Sequence, residues 1–337
     1  RDLHRVDRRQ RQMCIRDSLE RGLRMFGYKK ADPRPFGVPL DDLEAALAQT
    51  TLTTKRDGHS LIVTHPSFAT RVDVLAPANR GAENRPIKAV VQVRTDLPRE
   101  LAARFSKPEM TVAMNAMATL GALTYDDGKV FVGSRLTMYE AEQAWNIQFP
   151  LLLSSVIAST DSLLGAMRRT FAGESAETSA SAWGERDFEQ VQAYLSRLCV
   201  CTTDRMGLSA EFGLRDGAIS AATGDRDTAL WELLADQPHP EMGGGLFCLL
   251  QLPHQFRDES RLDSALLRLN QMEMAPHDLP PHFGAWCRGR IGNNPAYVSF
   301  LPNDIHSVAG IAVNVSFWAL NRARWANAML SSTGVRT

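Results

Sequence analysis

The stretch EMTVAMNAMATLGALTYDDGKVFVGSRLTMYEAEQAWNIQFPLLLSSVIASTDSLLGAMRRTF, Glu109–Phe171, decides the fold. Met110, Met114 and Met117 recur at spacings of four and three, which is the period of a helical face, and Gly121 ends that helix. Ala122–Tyr125 and Lys129–Arg135 read as strands joined by the turn Asp126-Asp127-Gly128. Adjacent carboxylates also occur in catalytic and cation sites, but a glycine directly behind them favours the turn. Thr137-Met138-Tyr139-Glu140 has the spacing of a capping box, in which the threonine accepts from the glutamate amide and the glutamate reaches back. A long helix is expected from there to Phe171, with Pro150 removing one backbone bond and kinking it.

A weak copy of this stretch lies between Leu262 and Leu330. Leu97-Pro98, Asn115 and Met117 map onto Leu252-Pro253, Asn270 and Met272 at an offset of 155. Val130–Thr137 maps onto Ala296–Asn303 at 166, which places eleven inserted residues around Ala275–His282 and Arg288–Pro295. Asn303 then sits where Thr137 sits, as a second helix cap. Conserved order and lengths at low identity point to an internal duplication.

The flanking sequence completes each copy. Ahead of the first, Pro33, Pro35 and Pro39 mark an extended lead-in. A short helix capped by Asp41 or Asp42 carries Leu40, Leu43 and Leu47 on one face. Strands are expected at Leu52–Lys55, His59–Thr64, Thr70–Leu75 and Ile87–Thr95, with the loop Ala76–Pro86 before the last. Gly173–Gly184, rich in Ser, Ala and Glu, reads as a linker. The second copy opens with the helix Asp187–Leu198, striped by Phe188, Val191, Leu195 and Leu198. Strands follow at Cys199–Thr203, Leu208–Leu214, Ala229–Ala235 and Leu246–Leu252, then the helix Arg261–Met274, strands Phe283–Cys287 and Ala296–Leu301, and a helix Ile305–Leu330. The expected division is a basic tail and lead-in (1–38), a first repeat (39–172), a linker (173–184) and a second repeat (185–337).

Composition bounds the functions available. The net charge is zero, yet residues 1–30 hold ten Lys/Arg against four acids, so the remainder is mildly acidic. That argues against nucleic acid as the main partner, because phosphate binding needs a basic face. Arg9–Ser18 resembles a translated sequencing-adapter stretch, so residues 1–20 are read as an artefact or disordered tail in preference to a nucleic-acid-binding arm. No membrane span is expected. The best apolar run, Phe149–Ala158, falls short of about 18 residues and holds Pro150, Ser154 and Ser155. The five cysteines, an odd and sparse set, suit a cytoplasmic location.

Motifs for chemistry are sparse. Cys199-Val200-Cys201 puts two thiols on one strand face, but the spacing is short for a metal pair, so core packing is favoured over a metal or redox site. His277, His282 and Cys287 lack a fourth ligand for zinc and read as loop and strand residues. Gly243–Gly245 precedes a strand, so it makes no phosphate nest at a helix start. No catalytic residue, cofactor site or metal site is assigned. Asn115 and Asn270 recur near helix ends, where local backbone bonding is expected over a polar contact in a groove.

Each half, with a helix, antiparallel strands, a helix ending in Met114-Asn115 or Leu269-Asn270, a hairpin (Leu123–Val132, Ala285–Val298) and a long helix, resembles the YbjN-like, type III secretion chaperone-like family. The resemblance implies an α+β fold in two tandem copies forming an internal pseudo-dimer, compatible with a monomer. It also implies a non-enzymatic, chaperone-like or regulatory module that holds a client protein or peptide segment. The second copy departs from the first in its longer loop and in lacking the Asp-Asp-Gly turn. Ile311, Val315, Trp318, Trp325 and Met329 form the stripe of the last helix, read as core first and a partner-binding face second. An open sheet face for a client is placed at Val72 and Val74, and at Trp231 and Leu233. The alternative function is a small-molecule sensor or enzyme with its site in the groove between the repeats. Removing residues 1–20 is expected to leave the melting temperature unchanged; a lost or broadened transition in calorimetry would refute the artefact reading.

Overall fold

The computed structural model describes residues 39–48, 50, 52–58, 60–75, 87–105, 107–117, 120–126, 128–139, 145–172, 179–214, 228–275, 279–290 and 293–332. The expected tail and lead-in 1–38, the loop 76–86, Asp127, Glu140, residues 173–178, His277 and residues 333–337 lie outside them.

The first half runs α1 (Pro39–Leu47), β1 (Thr54–Asp57), β2 (Ser60–Thr64), β3 (Ala69–Leu75), β4 (Ile87–Asp96), α2 (Arg99–Ala102), a 3-10 turn at Ala103–Phe105, α3 (Pro108–Asn115), β5 (Ala122–Asp126), β6 (Lys129–Tyr139) and α4 (Trp145–Ala172). The second half runs α5 (Glu185–Leu195), β7 (Val200–Thr203), β8 (Gly207–Gly213), β9 (Thr228–Leu234), β10 (Gly245–Gln251), α6 (Glu259–Met274), β11 (Ala285–Arg288), β12 (Pro295–Pro302), a 3-10 turn at Asn303–Ile305 and α7 (Ile311–Ser332). The fold is α+β with two similar units. Each unit has a six-stranded antiparallel sheet, in the orders β1-β2-β3-β4-β6-β5 and β7-β8-β9-β10-β12-β11. Four strands meander, and the closing hairpin docks its second strand first.

The two asparagines anchor that hairpin. Asn115 donates from Nδ2 to the Leu123 carbonyl at 2.9 Å and accepts from the Leu123 amide at 2.8 Å. Asn270 makes the same pair with Trp286, at 2.9 and 2.8 Å. The expectation of bonding at the helix end is corrected, since each side chain clamps the facing strand instead. A primary amide offers one donor and one acceptor side by side, which matches the N–H and C=O of one extended residue.

These clamps and the ladders also correct the alignment of the halves. Thr95 opposes Val132 and Leu250 opposes Tyr297, so the last strand maps at 165, not 166. Leu123 maps onto Trp286 at 163, which puts eight inserted residues before the hairpin and two in its turn. One residue matters, because a single slip in a strand exchanges its two faces. The short turn holds Gly128 at φ 75°, a conformation that side chains with a Cβ resist.

The capping expectations fail at both long helices. Thr137 lies inside β6, and α4 begins at Trp145. Asn303 opens a 3-10 turn, and α7 begins at Ile311. The helix of the first repeat is broken into α2, a 3-10 turn and α3, with Pro108 entering at the start of α3 because it has no N–H to continue a helix.

The core of each unit lies between its sheet and its long helix. Leu40, Leu43 and Leu47 of α1 pack with α4, and Phe188, Val191 and Leu195 of α5 pack with α7. Trp145–Ala166 of α4 has the length and apolar character of a membrane span, with a mean hydropathy of 1.4, so the apolar run is longer than the sequence reading allowed. More than half of it is buried in the protein, with Phe149, Leu152, Leu153 and Val156 fully enclosed. The two long helices, α4 and α7, are not the joint between the halves. Instead α3 packs on α6, α3 covers β11, and α6 covers β5. The contact is reciprocal, as in a twofold interface.

Asn270→Ala is expected to strand a buried N–H and C=O of Trp286 and to cost about 2–4 kcal/mol, read from urea unfolding. Asn115→Ala should cost a comparable amount if the two clamps are equivalent.

Candidate functional site

Two places concentrate polar chemistry, and they differ in access. The first is closed. α6 ends at the junction with Glu273, whose side chain is fully buried. Arg322, from the middle of α7, donates from Nε to Glu273 Oε1 at 2.5 Å and from Nη2 to Oε2 at 3.2 Å. The Trp286 indole N–H donates to Oε1 at 3.2 Å. His282 Nδ1 lies 3.7 Å from Oε2 and 3.0 Å from the Tyr297 hydroxyl, while the Arg322 guanidinium sits 4.5 Å over the Tyr297 ring.

Arg135 of β6 enters this cluster from the other half. Its Nε donates to the Glu273 carbonyl at 2.6 Å and its Nη1 to Thr137 Oγ1 at 2.6 Å. Its Nη2 reaches the carbonyls of Leu279 and Pro280, at 3.2 and 3.1 Å. Arg322 uses the carbonyls of Pro280 and Pro281, at 3.4 and 3.1 Å. Consecutive prolines carry acceptors and no backbone N–H, so Leu279-Pro280-Pro281 is a one-sided cradle for guanidinium groups. The segment is held where β5 leaves β6 after Gly133. There the His282 amide donates to the Arg135 carbonyl at 2.9 Å, and the Ser134 hydroxyl donates to the His282 carbonyl.

Burial pushes the Glu273 carboxyl up, but Arg322, His282 and Arg135 outweigh it and hold it at about 2. Burial pushes Arg135 down to about 10 against the pull of Glu273, so it stays charged at neutral pH. Burial also lowers Arg322, but Glu273 and Tyr297 more than restore it. Among the described residues, a space of about 10 Å³ adjoins this cluster, lined by Trp231, Phe283, Tyr297, Trp318 and Arg322 among others. That is about the size of one water probe.

The second place is open. A groove of about 450 Å³ lies at the end of the second sheet, lined by Trp183, Glu185, Arg205, Met206, Asp236 and Pro238 with the backbone of 179–181 and Gly244. Its volume is in the range of ligand clefts. Residues 179–184, the described part of the expected linker, are docked along one wall. The Gly244 amide donates to Ser179 Oγ at 2.8 Å, and Ser181 Oγ donates to the Gly245 carbonyl at 2.6 Å. Asn303 donates to the Ala180 carbonyl at 2.9 Å and accepts from the Ala182 amide at 2.8 Å. A Cβ on Gly244 would lie 2.3 Å from the Ala180 carbonyl oxygen, so only glycine allows the segment this close. The Trp183 indole N–H is buried and has no hydrogen-bond partner.

The residues expected to form an open sheet face are not exposed. Val72, Trp231 and Leu233 are buried, and Val74 is partly buried. That placement is corrected because their strand faces lie under the unit's own helices, where Trp231 Nε1 donates to Ser316 of α7 at 3.0 Å. Trp318 and Trp325 are half-buried, and Trp318 stacks on Phe283 with ring centroids 5.5 Å apart. Trp231 and Trp318 meet at the small cavity, while Val72 and Val74 belong to the other sheet. His282 joins the ionic cluster, and Cys287 is buried with its thiol pushed up to about 12. Among the described residues, no group of three or more His, Cys, Asp or Glu side chains is placed to hold a metal ion. Sequence reasoning missed Arg135, Glu273 and Arg322. The one available signal was the charge of Glu273 between Met272 and Met274, whereas Arg135 and Arg322 follow the polar Ser134 and Asn321.

No protein-family model, curated protein or solved structure matches the chain significantly.

Glu273 has a folded value below its ordinary 4.5. Its contribution, on the order of 3 kcal/mol, is therefore present above pH ~4.5 and lost as pH falls from there toward 2. Glu273→Gln is expected to flatten the stability–pH curve in that window. Glu273→Ala, which leaves two buried guanidinium groups uncompensated, should cost about 3–5 kcal/mol in chemical denaturation at pH 7.

Proposed function

We propose that this chain is a non-enzymatic protein-binding module, chaperone-like or regulatory, that holds an extended client segment in the groove bounded by Trp183, Arg205, Met206 and Asp236. The observation that carries this reading is the docked stretch 179–184. That end of the sheet already holds an extended stretch: the Asn303 side-chain amide pairs with the backbone of Ala180 and Ala182, and the Ser179 and Ser181 hydroxyls bond the backbone of Gly244 and Gly245. Recognition through the backbone with side-chain pockets alongside is how extended peptides are bound elsewhere. Met206 is 45% exposed and supplies apolar surface beside Trp183, while Glu185 and Asp236 suit a client with a basic residue next to an apolar one. The resemblance of each half to the YbjN-like family supports the same class. The buried charges at the junction satisfy one another, so the reading does not draw on them for reactivity.

The test is selection from a random peptide library on the immobilised chain, followed by affinity measurement on variants. Selected peptides should carry an apolar–basic pair. Met206→Glu should weaken them about tenfold or more, whereas Met110→Glu, equally exposed on the other half, should not. Retention of a small molecule at stoichiometry with no peptide selected would reverse the reading.

A further inference from the structure

The pair Cys199 and Cys201 is absorbed neither by the groove nor by the ionic junction. Cys199 sits at the bend that follows α5, where its amide donates to the Leu195 carbonyl at 3.0 Å, and Cys201 lies on the edge strand β7. The bend turns both side chains the same way, and the two sulfurs are 3.4 Å apart in van der Waals and hydrogen-bond contact. Their surroundings differ. Cys199 is 4% exposed, while Cys201 is only partly buried.

We propose that Cys199 and Cys201 are a thiol–disulfide modification site, closed reversibly by exchange with a low-molecular-weight disulfide of the glutathione type. The Cys201 thiolate attacks one sulfur of the external disulfide, forming a mixed disulfide and releasing one thiolate. The Cys199 sulfur then attacks Cys201 Sγ, the second thiolate leaves, and the Cys199 proton passes to it. Two protein thiols and one disulfide thus become one protein disulfide and two small thiols, with no further oxidant.

The geometry assigns the roles. The less buried sulfur receives the reagent, and the buried one, already in contact, resolves the adduct without a loop closure. The hydrogen bond between them supports the same assignment, lowering the Cys201 thiol and raising that of Cys199, to which burial adds. The thiolate, not the thiol, is the nucleophile in such exchange. Two positions so close in sequence close a small ring across a near-extended backbone, which approaches the upper limit of Cα separation for a disulfide. Such a bond is readily reduced, as a reversible modification requires. Cys248 and Cys287 serve as internal controls, since both are buried with thiols pushed up to about 12.

The experiment uses the full chain carrying Cys14→Ser, equilibrated in buffers of oxidised and reduced glutathione, quenched by alkylation and digested with trypsin. The peptide Leu198–Arg205 contains both cysteines and no other. As the buffer becomes oxidising it should escape alkylation and appear about 2 Da below its dithiol mass, and take up two alkyl groups again on reduction, while Cys248 and Cys287 stay alkylatable after unfolding. Cys199→Ser should accumulate one glutathionyl group on Cys201, and Cys201→Ser should react at Cys199 about tenfold more slowly or less. The proposal is overturned if the wild-type peptide keeps both thiols in fully oxidised buffer. It is equally overturned if Cys201→Ser reacts as fast as the parent. The measurement on the parent chain leaves Cys199 and Cys201 unchanged, so it stands even if a variant of either misfolds.

Discussion

Glu273 is a carboxylate with no access to water, paired with the Arg322 guanidinium of its own half, while Arg135 of the other half bonds its backbone carbonyl. A charge in that position is tolerated only while every partner is in place, because desolvation is repaid by the pairing alone. Arg135 comes from β6, Arg322 from α7, and the Pro280–Pro281 carbonyls from the inserted loop. The cluster therefore requires both sheets, the last helix and the insertion to be assembled at once. It makes the junction specific in a way that apolar packing alone does not, since a shifted docking would leave buried charges unpaired.

The duplication explains the frame, and its divergence explains the junction. Each half places an amide-bearing asparagine at the same point and clamps the same strand of its hairpin. The pseudo-twofold contact of α3 with α6 follows, each helix covering the partner's hairpin strand. The ionic cluster breaks that symmetry. Arg135 corresponds at offset 165 to Phe300, so one copy presents a charge where the other presents a ring. The eight residues inserted between α6 and β11 supply the acceptors that make the charge tolerable. The longer, unbroken α6 carries Glu273 to meet it, where Pro108 divides the corresponding stretch of the first copy.

Much of the architecture was legible in the sequence. Strand positions agree within a residue or two where alternation was strong, as in β3 and β4, and the offset of 155 between the halves located the asparagine pair. What was misread shares one cause. Thr137-x-x-Glu140 has the letters of a capping box, yet β6 continues through Thr137 because Arg135 and the docked His282 segment keep that edge paired. The apparent linker was polar and small in composition, but Ser179, Ser181 and Gly244 use that smallness to bring two backbones together.

The sequence by itself determined the α+β class, the twofold repetition and the helices and strands, because hydrophobic periodicity and turn residues act over a few neighbours. It named Val72, Trp231, Leu233 and Trp318 as apolar positions of consequence without saying whether water or protein would cover them. Only the tertiary structure decided that, along with the joint through α3 and α6, the groove beside Trp183 and the charged cluster. The reason is physical. Burial, desolvation and ion pairing depend on what lies opposite a residue across the core, and for Glu273 the partners stand 49 and 138 residues away.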